Sequence, residues 1–168
     1  MRHREYTNDL TPAIPYLFLY DKGGQQQIKY SGGTFLTWDT VKIKTSHFHY
    51  NKNDDRIIFN SNTSGFYKIT FNCSYTDNQG AEVKTVNASI YKNGSELEGS
   101  KIYRDQTHSI EYVAYLQKND YIQIYAHAQG NYAYTYAETS RLIIEFIPMQ
   151  GWNNSSGGRS EYKGGVMR

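Results

Sequence analysis

His47 and His49 stand two residues apart in the run TVKIKTSHFHY (40–50). In an extended strand that spacing puts both imidazoles on one side, and two histidines on one side are how many sheet-borne metal sites begin. A third ligand would have to come from Asp54, His108 or His127. The plainer reading is two polar residues on a solvent or interface face. Asn51, Asn53, Asp54 and Asp55 place four oxygen-bearing side chains in the following loop, a composition that can bind calcium, though it lacks EF-hand spacing and equally suits a plain turn. Cys73 is the single cysteine, so no intrachain disulfide exists. It falls on the apolar side of an alternating run with no base nearby, which reads as a small buried hydrophobe rather than a nucleophile. Tyr132, Tyr134 and Tyr136 alternate with Ala133, Thr135 and Ala137. A stripe of aromatic rings with polar tips suits a subunit interface or a ligand face, and packing between subunits is the reading favoured here. No nucleophile motif, phosphate-binding loop, dinucleotide fingerprint or zinc spacing occurs, which argues against an enzyme.

Composition narrows the classes further. The chain has 168 residues and a net charge of +2, so it is expected to form one domain with a core that needs no disulfide. The opening MRHREYTNDLTP mixes both charge signs, and no dense basic block follows, which gives no case for direct nucleic-acid binding. No stretch is long and apolar enough for a helical membrane span. The N-terminus also lacks the basic-then-apolar pattern of a secretion signal. Sequons begin at Asn62, Asn72, Asn87, Asn93, Asn153 and Asn154; they would mark surface sites in a secreted chain, and otherwise reflect a high Asn and Ser content. Seventeen tyrosines suit strands and surfaces that are both apolar and wettable.

The elements that must position these residues are strands. In FNSNTSGFYKITFNCSY (59–75) the residues Tyr67, Ile69, Phe71, Cys73 and Tyr75 recur at every second position, the period of a half-buried strand. Turn formers 60–64 and Gly65 precede it, so the stretch reads as strand end, tight loop, long strand. Further strand-like runs are IPYLFLY (14–20), QQIKYS (26–31), TFLTW (34–38), TVKIKTSHFHY, RIIF (56–59), EVKTVNASIY (82–91), HSIEYVAYLQ (108–117), YIQIYAHA (121–128), NYAYTYAE (131–138) and RLIIEFIP (141–148). The Asn-Gly pair within KNGS (92–95) marks a hairpin. About ten short strands at even spacing predict an all-β antiparallel sandwich or barrel. The predicted organisation is an N-terminal arm (1–12), a β domain (13–148) and a Gly/Ser/Asn-rich tail (149–168).

Phe59, Gly65, Tyr67, Ile69 and Phe71 together resemble the signature of the complement globular-head family, jelly-roll domains of the tumour necrosis factor superfamily. Ile69 stands where that signature has a second Phe. IYKNGSEL (90–97) resembles the family strand that ends in an Asn-Gly hairpin. VAYLQKNDYIQIY (113–125) resembles another segment, with Asn119 in place of the usual Gly and Asp120 kept. TSRLIIEFI (139–147) resembles the closing strand, with Arg141 in place of Gly. The resemblance spans about residues 13 to 148 and implies a jelly-roll sandwich that assembles as a homotrimer with aromatic sheet faces about the axis.

Two functions follow as expectations. The first is a non-enzymatic assembly protein, a trimeric subunit of a virus particle acting as capsid, decoration or spike-head protein. Its partners would be itself and other shell proteins, and Trp152 and Tyr162 of the tail would reach a neighbour. The second is a trimeric recognition head that binds a protein or glycan through its loops. Either places the chain on a virion or an extracellular surface. No cofactor is expected beyond the calcium that the 51–55 loop could hold. A metal-dependent enzyme of cupin type would rest on His47 and His49 alone.

Overall fold

The computed structural model describes residues 13–77 and 85–149. The N-terminal arm, the 78–84 segment and the tail with Trp152 and Tyr162 lie outside the described residues. Fourteen strands and no helix occur among the described residues, and four of the strands are only two residues long. The excess over the runs read from the sequence is Phe48–His49, split from the 40–50 run, with Ser95–Glu96 and Ile102–Asp105, which the sequence reading did not mark as strands.

All pairings are antiparallel, and they build two sheets packed face to face. In the first sheet β11 (Thr107–Leu116), β7 (Gly65–Thr76), β14 (Arg141–Ile147), β1 (Tyr16–Tyr20) and β4 (Thr40–Lys44) lie side by side. The far end of β7 also pairs β13 (Ala133–Thr135), which carries β2 (Gln27–Ile28). The second sheet runs β10 (Ile102–Asp105), β8 (Val86–Lys92), β12 (Tyr121–Ala128), β6 (Ile57–Phe59) and β5 (Phe48–His49). Two short strands complete it, β3 (Thr34–Phe35) on β12 and β9 (Ser95–Glu96) on β8.

β7 is the spine. Its alternation puts Tyr67, Ile69, Phe71, Cys73 and Tyr75 into the core, where all are buried. Phe71 is flanked in register by Ile110 of β11 and Leu142 of β14, both buried. The Phe59–Tyr67 spacing closes the sandwich at one end. Phe59 ends β6 in one sheet, Tyr67 is the third residue of β7 in the other, and their rings meet edge-on at 4.9 Å. Phe48 and Phe146 complete the aromatic group around Tyr67, and the Tyr67 hydroxyl donates to the Thr63 carbonyl at 2.7 Å, tying the 60–64 loop down.

Gly65 has a different role from a turn residue. It is the first residue of β7, outside the left-handed region, and an added Cβ would meet the Phe146 ring at 3.0 Å. Glycine is needed there for close approach of an aromatic ring. Left-handed backbone falls elsewhere, at Asn93 and Gly94 of the hairpin and at Asn119, whose φ of 73° is what a glycine would adopt freely.

The run 40–50 is not one strand. It breaks at a turn over Ser46 and His47, closed by the Phe48 N–H donating to the Thr45 carbonyl at 3.2 Å. Thr45 is itself held by β1, its hydroxyl accepting from the Tyr16 N–H at 3.1 Å. The chain then crosses from the first sheet to the second. The run 131–138 likewise keeps only three residues as strand.

At the Phe59 end, Asp120 joins the segments. Its buried carboxylate accepts from the Gln117 N–H at 2.9 Å and the Asn93 side chain at 2.8 Å, and pairs with Lys92 at 3.3 Å. Burial opposes its ionisation, but the bonds from Asn93 and Gln117 and the Lys92 charge outweigh burial and hold the carboxyl below the usual range. The Asp120 carbonyl accepts from the Phe59 N–H, and the Phe59 carbonyl from the Asn119 N–H.

Two outcomes test this packing. Phe71→Ala is expected to cost about 3–5 kcal/mol in denaturant melts, as for a fully buried aromatic; a loss below about 1 kcal/mol would displace Phe71 from the core. Asp120→Asn is expected to cost about 1–3 kcal/mol at neutral pH. A depressed folded-state pKa contributes stability above the unfolded value near 4, lost as pH falls through the folded value. The gap between wild type and variant should therefore shrink as melts are moved below about pH 4. A gap independent of pH would mean that the carboxylate charge is not what holds the joint.

Candidate functional site

The residues with metal-site spacing are not brought together. His47 sits in the turn and His49 in β5, so the two do not share one strand face. His47 Nδ1 lies 2.9 Å from the Thr45 hydroxyl. His108 is fully buried on β11, its ring bonded to the Tyr75 hydroxyl and the Val86 carbonyl, each at 2.9 Å. Burial outweighs those bonds and lowers its pKa, favouring the neutral ring. His127 stands on β12 of the other sheet. Among the described residues no three His, Cys, Asp or Glu side chains gather as a metal site would require. The 51–54 segment is a turn closed by the Asp54 N–H on the Asn51 carbonyl, with Asn53 at positive φ. Cys73 is buried, and burial pushes its thiol up to about 12, far from thiolate reactivity at neutral pH.

The three tyrosines lie outward at the end of the first sheet. Ala133 and Thr135 take the core positions, fully buried. Tyr132 and Tyr136 are exposed and Tyr134 is half-buried. Each has a different neighbour. Tyr132 packs edge-on against exposed Tyr30 at 4.9 Å, Tyr134 receives a bond from the Gln27 side chain, and Tyr136 lines a recess of about 380 Å³ with Ser74, Gln106, Thr107 and Thr139.

A broader surface lies on the outer face of the first sheet. β1 reads YLFLY: Leu17 and Leu19 are in the core, so Tyr16, Phe18 and Tyr20 face out. β14 reads RLIIEFI: Leu142 and Ile144 are in the core, so Ile143 and Ile147 face out. Register then assembles rows across the sheet. Ile43 of β4, Phe18 of β1 and Ile143 of β14 stand side by side. Ile147, Phe66 and Tyr115 form a second row, with the Phe66 and Tyr115 rings 5.5 Å apart. Ile43 is 49% exposed and Val113 51%. Between the rows stands Lys68, paired with Glu111 at 3.0 Å and Glu145 at 3.3 Å. The hydrogen bond to Glu111, then that to Glu145, raises the Lys68 pKa.

Sequence reasoning passed over this face. Its signal was present: a strand apolar at every position is one covered on both sides. In a two-layer sandwich the core covers only one side of β1 and β14.

No protein-family profile matches the sequence, and no curated protein matches it. Solved structures match its shape. Murine APRIL superposes with a TM-score of 0.56 at 13% identity, over 80% of this chain and all of that one. The PRD1 vertex protein P5 superposes with a TM-score of 0.56 at 12% identity, over 82% of this chain and all of that one. At such identities the likeness is one of fold, and it agrees with the Phe59–Phe71 signature: the chain is a TNF-like jelly roll.

Proposed function

We propose that the chain is a non-enzymatic assembly subunit, a homotrimer formed through the outer face of the first sheet, serving in a virus particle as capsid, decoration or spike-head protein. The observation that carries this reading is the second apolar face of β1 and β14. Phe18, Ile143 and Ile43 form a half-exposed apolar row that the sandwich itself leaves uncovered. Contiguous apolar surface of this kind is characteristic of obligate subunit contacts. Lys68 bridges Glu111 and Glu145 beside the row, which lowers but does not remove the cost of burying those charges. The particle role is supported by likeness to a vertex protein. The tail 149–168, with Trp152 and Tyr162, is proposed to reach from the 13–148 domain to a neighbouring subunit, and residues 1–12 to form an N-terminal arm.

A recognition head is the second reading. The exposed Tyr30–Tyr132 pair favours it, as does likeness to APRIL.

Native mass decides between them. The full-length chain is expected at three times its 19.4 kDa mass, or in closed multiples of that trimer. Phe18→Asp and Val113→Asp should shift it to monomer with an unchanged circular dichroism spectrum. Wild-type protein that stays monomeric at every concentration would sink the trimer. A large assembly that falls back to trimers when 149–168 are removed supports the shell role, whereas trimers in both forms favour the recognition head.

A further inference from the structure

The outer face of the second sheet has a different character. On β8 the residues Val86, Ala88 and Ile90 enter the core, so Asn87, Ser89 and Tyr91 face out. On β12 the residues Ile122, Ile124, Ala126 and Ala128 enter the core, so Tyr125 and His127 face out. Register sets Asn87 beside His127 and Ser89 beside Tyr125. Lys101 precedes β10, where Ile102 pairs Ala88, and Gln129 follows β12. Asn87, Ser89, Lys101, Tyr125, His127 and Gln129 line a groove of about 320 Å³.

We propose that this groove binds a sugar residue, with preference for one that carries a carboxylate. The lining is the chemistry that such a ligand needs. Tyr125 supplies an aromatic surface for the C–H face of a pyranose ring. The Gln129 amide and the His127 imidazole supply donors and acceptors for ring hydroxyls, above a buried Asn87 and Ser89. Lys101 supplies a cation for the carboxylate. A groove for an apolar peptide side chain would not be built from amides and hydroxyls, and one cation is too few for a nucleic-acid backbone.

The aromatic surface is held in place before any ligand arrives. Tyr125 meets Phe35 edge-on at 5.4 Å and Tyr91 at 5.2 Å. Gly33 lies so close that a Cβ there would overlap the Tyr125 phenol, and its φ of 63° excludes most other residues in any case. The groove floor is fixed as well, since the buried Ser89 hydroxyl donates to Glu96 at 2.9 Å. Lys101 is the adjustable part: its contact with Glu96 is long, at 3.8 Å, and both side chains are about one-third exposed. An exposed pair at that distance is weak, so an incoming carboxylate can compete with Glu96 for the ammonium. The site lies on the sheet opposite the proposed trimer face, so it stands or falls independently of assembly.

Saturation-transfer NMR on the full-length chain at pH 7, with glucuronate, N-acetylneuraminate and glucose as probes, tests the site. At least one acidic sugar should bind, about tenfold more tightly than glucose. Lys101→Gln should remove that preference, and His127→Ala should weaken binding of every sugar about tenfold with an unchanged melting temperature. Tyr125→Leu should abolish binding; should that variant misfold, the His127 variant decides. No transfer to any of the three sugars overturns the proposal. So does binding that His127→Ala leaves unaltered, or an acid preference that persists in Lys101→Gln.

Discussion

One buried carboxylate holds together parts of the chain that are distant in sequence. Asp120 receives hydrogen bonds from Gln117 and Asn93 and pairs with Lys92, so it ties the 117–120 turn to the Asn93–Gly94 hairpin. The same turn exchanges backbone bonds with Phe59, and Phe59 packs across the sandwich on Tyr67. The joint thus runs from β8 through β12 and β6 into β7. A charge with so little access to water is tolerable only when its lone pairs are filled. The 117–120 turn and the Lys92–Asn93 corner of the hairpin must both be in place before they are, which couples the carboxylate to correct pairing of β8 with β12.

With the core closed, the two sheets are left with opposite outer surfaces. Two layers can cover one face of each sheet and no more. On the first sheet the uncovered face is apolar along β1 and β14, and its few charges are paired among themselves. On the second, Asn87, Ser89, His127 and Lys101 keep the face polar around Tyr125. The edge of the first sheet is treated separately. β4 presents Lys42 and Lys44, and charges there discourage strand-to-strand addition, so the apolar face beside them is left to side-chain packing rather than ladder extension.

How much of this the sequence displayed depended on range. The core row of β7 was legible because a period of two sustained over twelve residues fits a strand and no helix. The hairpin at Asn93–Gly94 was legible because few residue types accept positive φ. The break at Ser46–His47 was not, because nothing local ends the alternation; it follows from Thr45 being held by Tyr16 of β1, far away in the chain. The reason for Gly65 was equally hidden, since Phe146 comes close only once β14 lies beside β7. The groove on the second sheet needs the register of β8 against β12, which no local pattern encodes.

The apolar row of Phe18, Ile143 and Ile43 lies between these cases. Of the strands that contribute to it, β1 announces its double apolar character in sequence, β4 alternates with lysine and β14 carries Arg141 and Glu145, and only the pairing order shows that the three side chains meet. Polar side chains at those positions would have left the fold intact, since Leu17, Leu19, Leu142 and Ile144 already fill the core. Apolar ones expose surface that water disfavours by roughly 25 cal/mol per Å². An isolated subunit gains nothing from that exposure. A neighbour that covered the row would bury that surface, which is why the outer face of the first sheet, rather than the tyrosine stripe at its end, is the surface proposed to meet neighbouring subunits.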